Sequence, residues 1–301
     1  MLWENLREEE FYPALEKCGG LCVISMGSIE KHGEHLPLGT NSIIAEEIAK
    51  SATELEDAIY LNPGRWFGEA SHFHADTRED NEKFNRWGNF ALKQSTLMEI
   101  LETLLDEIGR NRFDRILIVN HNSGNNNFLR LFLRAIAYTD KPYATLSAEA
   151  VDSDLVSPAQ LLKLAKESPD EFNMLTPEDI ETLKVWCDKS AVGPGGFIET
   201  CLIMADHPEF VQTDKYDDVD SSRKTRLDHT SQEGLFIANS WYATNPDGYM
   251  AEPPYGASQT IGQAMKKILT QRMADIFRRI KAREDIMDIV WCGRKPTGKE
   301  N

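Results

Sequence analysis

Short apolar runs alternate with longer amphipathic stretches along this chain, and this alternation restricts the possible folds more than any other feature. The runs over residues 21–26 and 116–119 are too short for buried helices and predict central strands, and residues 58–61 predict a third strand. Residues 42–55 and 92–108 have the three- and four-residue apolar spacing of helices, the second ending near Gly109. Strands that alternate with helices predict an α/β fold with a mainly parallel sheet sandwiched by helices.

Three later segments extend the predicted domain. Residues 143–147 predict a strand, and residues 129–138 and 256–280 have helical apolar spacing. A chain of 301 residues buries enough apolar surface to be stable without cross-links. We therefore expect a single domain over residues 1–301.

The segment 152–190 differs in character from its surroundings. It contains Ser157-Pro158, Ser168-Pro169 and Thr176-Pro177, and each pair can begin a short helix because proline fits the first helical position. We interpret the segment as a helical insertion. The tail from about Arg294 is expected to be loose.

The charge balance and the cysteines narrow the possible partners and the compartment. The formal net charge of −16 disfavours phosphate backbones and acidic lipid surfaces. No apolar run approaches the ~20 residues that span a bilayer, and the N-terminal segment is acidic where a signal peptide is basic. The five cysteines are scattered, without paired spacing, and are interpreted as reduced thiols. We expect a cytoplasmic protein that binds neither nucleic acid nor a membrane.

Polar residues follow two of the predicted strands. Segment 30–35, Glu-Lys-His-Gly-Glu-His, comes after the strand over 21–26, and segment 120–127 follows the strand over 116–119 with His121 and five asparagines. The carboxyl ends of strands in an open α/β sheet are where ligands bind. The first segment could be a metal or acid/base site or a surface salt-bridge cluster. The asparagines could hold a polyhydroxylated or amide-bearing ligand, or only form the turn.

A third histidine-containing segment lies between them in the sequence. His72 and His74 have H-x-H spacing, which on an extended chain points both imidazoles to one side and could chelate one ion, although a solvated loop would have the same sequence. Five of the seven histidines fall in these three segments. This clustering favours a functional site over three unrelated loops.

One of these segments also carries a family resemblance. Residues 26–41, Met-Gly-Ser-Ile-Glu-Lys-His-Gly-Glu-His-Leu-Pro-Leu-Gly-Thr-Asn, resemble the G-S-x-E-Q-H-G-x-H-L-P-L-G-T-D signature of the creatininase family. Weaker likenesses follow in the family's order: residues 119–125 to V-N-G-H-G-G-N, residues 197–201 to E-x-E-T-S, and residues 252–262 to the late G-D-P-x-x-A-T-x-x-x-G stretch. The resemblance implies a three-layer αβα fold and a homo-oligomer, such as a hexamer.

The resemblance also implies chemistry. Family members use two divalent ions to activate water for attack on a carbonyl carbon, commonly in a small cyclic amide. Glu30 and His32 match metal ligands, and Glu199 matches a glutamate that binds metal or shuttles protons. Asn41 stands where the family has an aspartate between the two ions, and a neutral amide lacks the anionic charge that two adjacent cations need. We expect a divalent ion, zinc, manganese or iron, with one or two per chain and one as the leading hypothesis.

Other positions depart from the family pattern. The ungapped alignment places Asn122 on a family histidine, and a one-residue shift would place His121 there. Pro194 and Phe197 replace the histidine and the glutamate of H-A-G-E. A further hypothesis is that residues near the family's F-P-G-T loop replace part of what is lost, namely His72, His74 and Asp76.

The predicted site therefore has three overlapping groups of residues. The catalytic candidates are Glu199, His35 and His121. The substrate-binding candidates are Asn120, Asn122, Asn125 and His74. The metal-ligand candidates are Glu30, His32, His121, Asn41 and Glu199.

The predicted function is metal-dependent hydrolysis of a small polar ring at a carbonyl. A cyclic polyol diketone from inositol catabolism, such as 3-dehydro-scyllo-inosose, would be opened at a C–C bond, and this substrate ranks slightly above a cyclic amide opened at a C–N bond. A second prediction, from another class, is a small-ligand-binding or regulatory protein that kept the fold and lost the metal chemistry.

Overall fold

The computed structural model describes residues 1–69, 88–219, 221, 223–225, 227–235, 241, 244–245 and 247–282. Within these residues the centre of the fold is a four-stranded parallel sheet with the order β2-β1-β3-β4. The strands are β1 (Leu21–Met26), β2 (Ile59–Leu61), β3 (Arg115–Asn120) and β4 (Ala144–Glu149).

Helices connect the strands and cover both faces of the sheet. They are α1 (Glu8–Lys17), α2 (Thr40–Leu55), α3 (Gln94–Arg110), α4 (Ser123–Ile136), α5 (Pro158–Glu167), α6 (Pro177–Trp186), α7 (Phe197–Asp206), α8 (Asp228–Gln232) and α9 (Gln259–Ala282). Short 3-10 helices lie at Trp3–Asn5, Pro208–Phe210 and Thr213–Asp218. In the described part of the chain, no helix is long and apolar enough to cross a membrane.

The sheet divides the hydrophobic core into two halves. Alternate residues of β1 point to opposite faces: Leu21 and Val23 pack with α2, α7 and α9, whereas Cys22 and Ile24 pack with α1, α3 and α4. Every residue of β1 and β3 is buried, as expected for parallel strands covered on both sides. The structure thereby confirms the predicted α/β class and its three-layer αβα arrangement.

The asparagine-rich segment differs from its prediction. The sequence predicts a loop over 120–127 before a helix over 129–138, but α4 already begins at Ser123. The reason is a cap: the Asn122 side-chain oxygen accepts a hydrogen bond from the Gly124 N–H at 2.7 Å, which satisfies a donor that the first turn of a helix leaves open. The polar side chains therefore lie on the first turns of α4, next to the end of β3.

Two smaller predictions concern where helices end and begin. Helix α3 ends at Arg110, one residue after Gly109, so its predicted end near Gly109 is confirmed. Ser157 and Thr176 cap α5 and α6 as expected, but Ser168 ends α5, so the pair Ser168-Pro169 begins a turn and no helix. That the segment 152–190 is an insertion stays a prediction, and the tail from residue 294 lies outside the described residues.

Helices α7 and α9 pack with their backbones in direct contact. A β-carbon at Gly262 in α9 would lie 1.8 Å from the carbonyl oxygen of Cys201 in α7, so this approach requires glycine. Glu199 lies in the first turn of α7, two residues before Cys201. The contact therefore fixes α7, the helix that carries Glu199, against α9.

A buried carboxylate, Asp179, attaches α6 to the start of α9. It is 4% exposed, and its oxygens accept hydrogen bonds from the hydroxyls of Ser258 and Thr260, both at 2.6 Å, and from the N–H and hydroxyl of Thr176, both at 2.8 Å. Burial raises the pKa of Asp179, but these hydrogen bonds outweigh burial and leave the pKa below its ordinary value. We call these four residues the Asp179 cluster.

Candidate active site

A cavity of about 240 Å³ opens at the carboxyl edge of the sheet, where β1, β3 and β4 end. Several predicted site residues line it, namely Glu30, Asn41, Asn120, His121, Asn122 and Glu199. Other lining residues were not predicted, among them Glu149, Val151, Trp241 and Ile198. The structure therefore brings the segments after β1 and β3 together with the start of α7, although they are far apart in the sequence.

His32 lies on the loop after β1 with its imidazole fully buried. Its Nδ1 lies 2.9 Å from the Glu30 carbonyl oxygen, and because a carbonyl only accepts, Nδ1 carries the proton. The other ring nitrogen, Nε2, lies 2.6 Å from Asn41 Oδ1 and 3.8 Å from Glu199 Oε2. A ring nitrogen that faces two oxygen acceptors needs a proton or a metal ion between them.

Asn41 lies in the first turn of α2, and the oxygen and nitrogen of its amide contact different residues. The Nδ2 group donates to Ser28 Oγ at 3.0 Å and to Glu30 Oε1 at 3.2 Å. A reversed amide would set its oxygen against the Glu30 carboxylate, two acceptors in contact, so the network assigns the donor end to Glu30. Asn41 thus presents a donor towards Glu30 and an acceptor towards His32.

Glu199 is held between a tight turn and two histidines. Its Oε2 accepts the Gly195 N–H at 2.7 Å, and its Oε1 lies 3.2 Å from His121 Nε2. Gly195 has φ +84°, and a β-carbon there would lie 2.4 Å from the His32 carbonyl oxygen, so the turn requires glycine. Burial raises the pKa of Glu199, but His32 and His121 outweigh burial and lower the pKa below its ordinary value. The carboxylate is therefore ionised at neutral pH.

Asn122, at the N-cap of α4, donates to the same Glu30 oxygen as Asn41. Its Nδ2 donates to Glu30 Oε1 at 3.2 Å and to the Glu69 carbonyl oxygen at 2.9 Å. The structure thus places Asn122 beside Glu30 and His121 beside Glu199.

The amides of Asn120 and Asn125 are bonded to the protein itself. Asn125 is fully buried, donates to the Gly27 carbonyl at 2.9 Å and to Asn120 Oδ1 at 2.8 Å, and accepts from the Glu69 N–H at 2.6 Å. The Asn120 Nδ2 group donates to the carbonyl of Asn122 at 2.9 Å. These bonds hold the loops after β1 and β3 together. A substrate-binding role for either residue stays a prediction, and Asn125 lies behind the cavity lining.

His35 is also buried, beneath the cavity lining rather than in it. The Thr200 hydroxyl donates to the Gly196 carbonyl at 2.9 Å, so His35 Nε2, 3.0 Å away, donates to Thr200. Burial first, and the neighbouring His32 second, lower the pKa of His35 to about 4. The neutral imidazole thus holds the start of α7, and its catalytic role stays a prediction. The other candidates, His72, His74 and Asp76, lie outside the described residues.

Three residues that shape the site were missed by the sequence analysis: Ser28, Glu69 and Gly195. Ser28 accepts from Asn41 through its hydroxyl, but Glu69 and Gly195 act through backbone atoms, which leave no side-chain pattern in the sequence. The one available signal was the Gly-Pro-Gly-Gly run over residues 193–196, which is typical of a tight turn.

The residues on the His32 side of Asn41 fit a cation. Among the described residues no group of three His, Cys, Asp or Glu side chains is arranged to hold a metal ion. Here the third acceptor is an amide oxygen: His32 Nε2, Asn41 Oδ1 and Glu199 Oε2 face one another. Imidazole nitrogen with carboxylate and amide oxygen is a donor set that zinc, manganese and iron accept.

Comparisons with known proteins agree with the α/β fold described above. The creatininase family model, described as creatinine amidohydrolase, matches residues 4–277. Among solved structures, a putative creatinine amidohydrolase from Bacteroides fragilis NCTC 9343 is similar, with TM-score 0.61, 19% identity and coverage of 87% of this chain and 90% of that chain. A creatininase described as Mn has TM-score 0.61, 18% identity and coverage of 93% and 98%. A creatininase mutant of Zn-Zn type has TM-score 0.61, 19% identity and coverage of 93% and 97%. No curated protein sequence matches this chain.

Proposed function

The chain belongs to the creatininase family, and from this premise we propose that it is a metal-dependent hydrolase that opens a small polar ring at a carbonyl carbon. The observation that carries the proposal is that His32 Nε2, buried directly beneath the cavity lining, meets Asn41 Oδ1 and the Glu199 carboxylate, which both line the cavity. We propose that these three groups hold one divalent ion, zinc, manganese or iron. When bound, such an ion polarises a substrate carbonyl and lowers the pKa of attacking water.

Glu199 and His121 are the proposed proton-transfer pair. Both line the cavity, and Glu199 Oε1 lies 3.2 Å from His121 Nε2. The ionised Glu199 carboxylate is a base for the attacking water, and His121 is placed to deliver a proton to the ring atom that leaves. The Glu30 carbonyl keeps the proton of His32 on Nδ1, which leaves Nε2 directed at Asn41 and Glu199.

The cavity lining limits the class of substrate. Its carboxylates are Glu30, Glu149 and Glu199, and the described lining contains no lysine or arginine, so anionic substrates would be repelled. The amides of Asn120 and Asn125, predicted to hold a polyhydroxylated or amide-bearing ligand, are instead bonded to one another and to the backbone. Because these amides are engaged, the reason for ranking the cyclic polyol diketone first is removed, and we propose a neutral or cationic cyclic amide, opened at C–N, as the substrate.

Metal analysis of the purified protein, combined with a small substrate panel, tests the proposal. We expect about one zinc, manganese or iron ion per chain, hydrolysis that chelation abolishes, and recovery when the ion is returned. The panel is creatinine, hydantoin and 3-dehydro-scyllo-inosose. If only the diketone is opened, the protein hydrolyses a C–C bond and the proposed C–N reaction is wrong. A protein that holds no metal and does not respond to added ions would instead be the ligand-binding alternative.

Three further features stay predictions. They are a role in inositol catabolism, a cytoplasmic location and a homo-oligomeric state such as a hexamer.

A further inference from the structure

The Asn41 amide divides the cavity floor into two unlike halves. On one side lie the acceptors described above, which we call the acceptor half: His32 Nε2, Asn41 Oδ1 and the Glu199 carboxylate. On the other side, the donor half, Asn41 Nδ2 and Asn122 Nδ2 both point at Glu30 Oε1, each at 3.2 Å. An amide nitrogen donates protons and offers no lone pair to a cation. The two halves therefore differ in what they can bind.

The orientation of Asn122 is fixed at both of its ends. Its Oδ1 accepts the Gly124 N–H that caps α4, and its Nδ2 donates to the Glu69 carbonyl, which only accepts. Rotation of the amide by half a turn would break both bonds. The N–H group directed at Glu30 is thus part of the frame that joins α4 to the loop before residue 70.

In the donor half, Glu30 Oε1 accepts two hydrogen bonds without any ion. Glu30, Asn41 and Asn122 are only 6%, 5% and 7% exposed. A buried carboxylate without partners would be costly, but two N–H groups donate to Glu30 Oε1 and offset its charge. Binding of a cation at Glu30 Oε1 would require both amides to turn away, with loss of the Asn122 cap and of the Asn41 bond to Ser28.

We infer that the site holds a single ion, in the acceptor half, and that hydrogen bonds from Asn41 and Asn122 replace a second metal position beside Glu30. This inference rests on the proposed function. It makes Glu30 a positioning residue that keeps the Asn41 oxygen directed at His32, and it replaces the sequence prediction of Glu30 as a metal ligand. A similar creatininase is described as Zn-Zn type. The single ion inferred here follows from Asn41 and Asn122 of this chain.

The first test is to count metal in Glu30→Gln, with His32→Ala as the matched comparison. Each chain is loaded with zinc, desalted and measured by mass spectrometry, and circular dichroism confirms folding. We expect one ion in the wild type, one in Glu30→Gln with about 10–100-fold weaker affinity, and none in His32→Ala. Loss of the ion from a folded Glu30→Gln protein, as complete as in His32→Ala, would overturn the inference.

The second test restores the missing ligands. Asn41→Asp with Asn122→His supplies an anionic oxygen and an imidazole on the Glu30 side, and we expect zinc content to rise from one ion to two. Asn122→His alone is the control and should remain at one. With Mn²⁺, electron paramagnetic resonance should show a spin-coupled pair in the double variant and an isolated ion in the wild type. Two ions in the wild type overturn this inference and leave the proposed function standing, whereas none overturns both.

Discussion

The Asp179 cluster and the cavity floor are both buried polar groups built around a carboxylate, yet their hydrogen bonding differs. In the Asp179 cluster four donors surround one carboxylate, and its two oxygens accept all four hydrogen bonds. At the cavity floor His32 Nε2 faces an amide oxygen, and His121 Nε2 is buried without a hydrogen bond although Glu199 lies near it. Buried groups are normally satisfied, so the incomplete cluster is the one that needs a ligand.

The comparison also shows what does not distinguish the two clusters. Asp179 is buried and Glu199 is partly exposed to the cavity, yet the pKa of each lies below its ordinary value because nearby partners outweigh desolvation. A shifted pKa accompanies structural networks as well as active sites. In this chain, the balance of hydrogen-bond donors and acceptors distinguishes the structural Asp179 cluster from the candidate active site, whereas the pKa shifts do not.

The largest expected effect is that of His32→Ala. Removal of the one imidazole in the acceptor half should release the ion and reduce kcat/KM by at least ~10³-fold, since bound metal contributes several kcal/mol to transition-state stabilisation. Metal content and turnover of the substrate found in the panel are the measurements. Thermal unfolding of the metal-free forms controls for misfolding. A metal-replete, active variant would show that the acceptor half is not the site.

Next comes His121→Gln, which alters the proton-transfer pair and leaves the acceptor half intact. We expect kcat to fall by about 10²–10⁴-fold, the usual effect of a lost acid/base group, while the ion is retained. Glu199→Gln is the contrasting variant, because it should reduce both turnover and metal content. If His121→Gln turned over at the wild-type rate, the proposed role of His121 would be wrong.

Asp179→Asn should affect stability and leave function alone. It removes charge-assisted hydrogen bonds, each worth about 1.5–3 kcal/mol, so we expect the free energy of unfolding to fall by roughly 2–3 kcal/mol with kcat and metal content unchanged. Denaturant unfolding and metal analysis of the same samples measure both. Loss of turnover at unchanged stability would erase the contrast between the two clusters.

The smallest expected effect is the pH dependence of that stability difference. Because the pKa of Asp179 is lower in the folded than in the unfolded chain, its contribution is fully present above the ordinary value of 3.8 and is lost as the pH falls through the folded pKa. The gap between wild type and Asp179→Asn should therefore be constant from pH 6 to 8 and narrow below about pH 4. Unfolding midpoints across this range provide the measurement, and a gap that widens in acid would contradict the assignment.

The sequence predicts the sheet better than it predicts the site. The apolar runs of β1 and β3 have one reasonable interpretation, and the histidine segments after them do line the cavity. The start of α4 was missed because Asn122 favours a turn and a helix cap equally. The direction of the Asn41 amide depends on which atoms Ser28, Glu30 and His32 present to it, and no pattern in a single sequence contains that information.

The contact between Gly262 and Cys201 has a consequence for catalysis at a distance. Since the two backbones touch, α7 cannot slide or lift without α9, and the height of Glu199 above the sheet is set in the interior of the domain. A displacement of roughly 1 Å at a reacting group costs about 10²-fold in rate. Substitutions in the loops around the cavity can therefore change the substrate without moving Glu199. The position of Glu199 depends instead on Gly262 in the core.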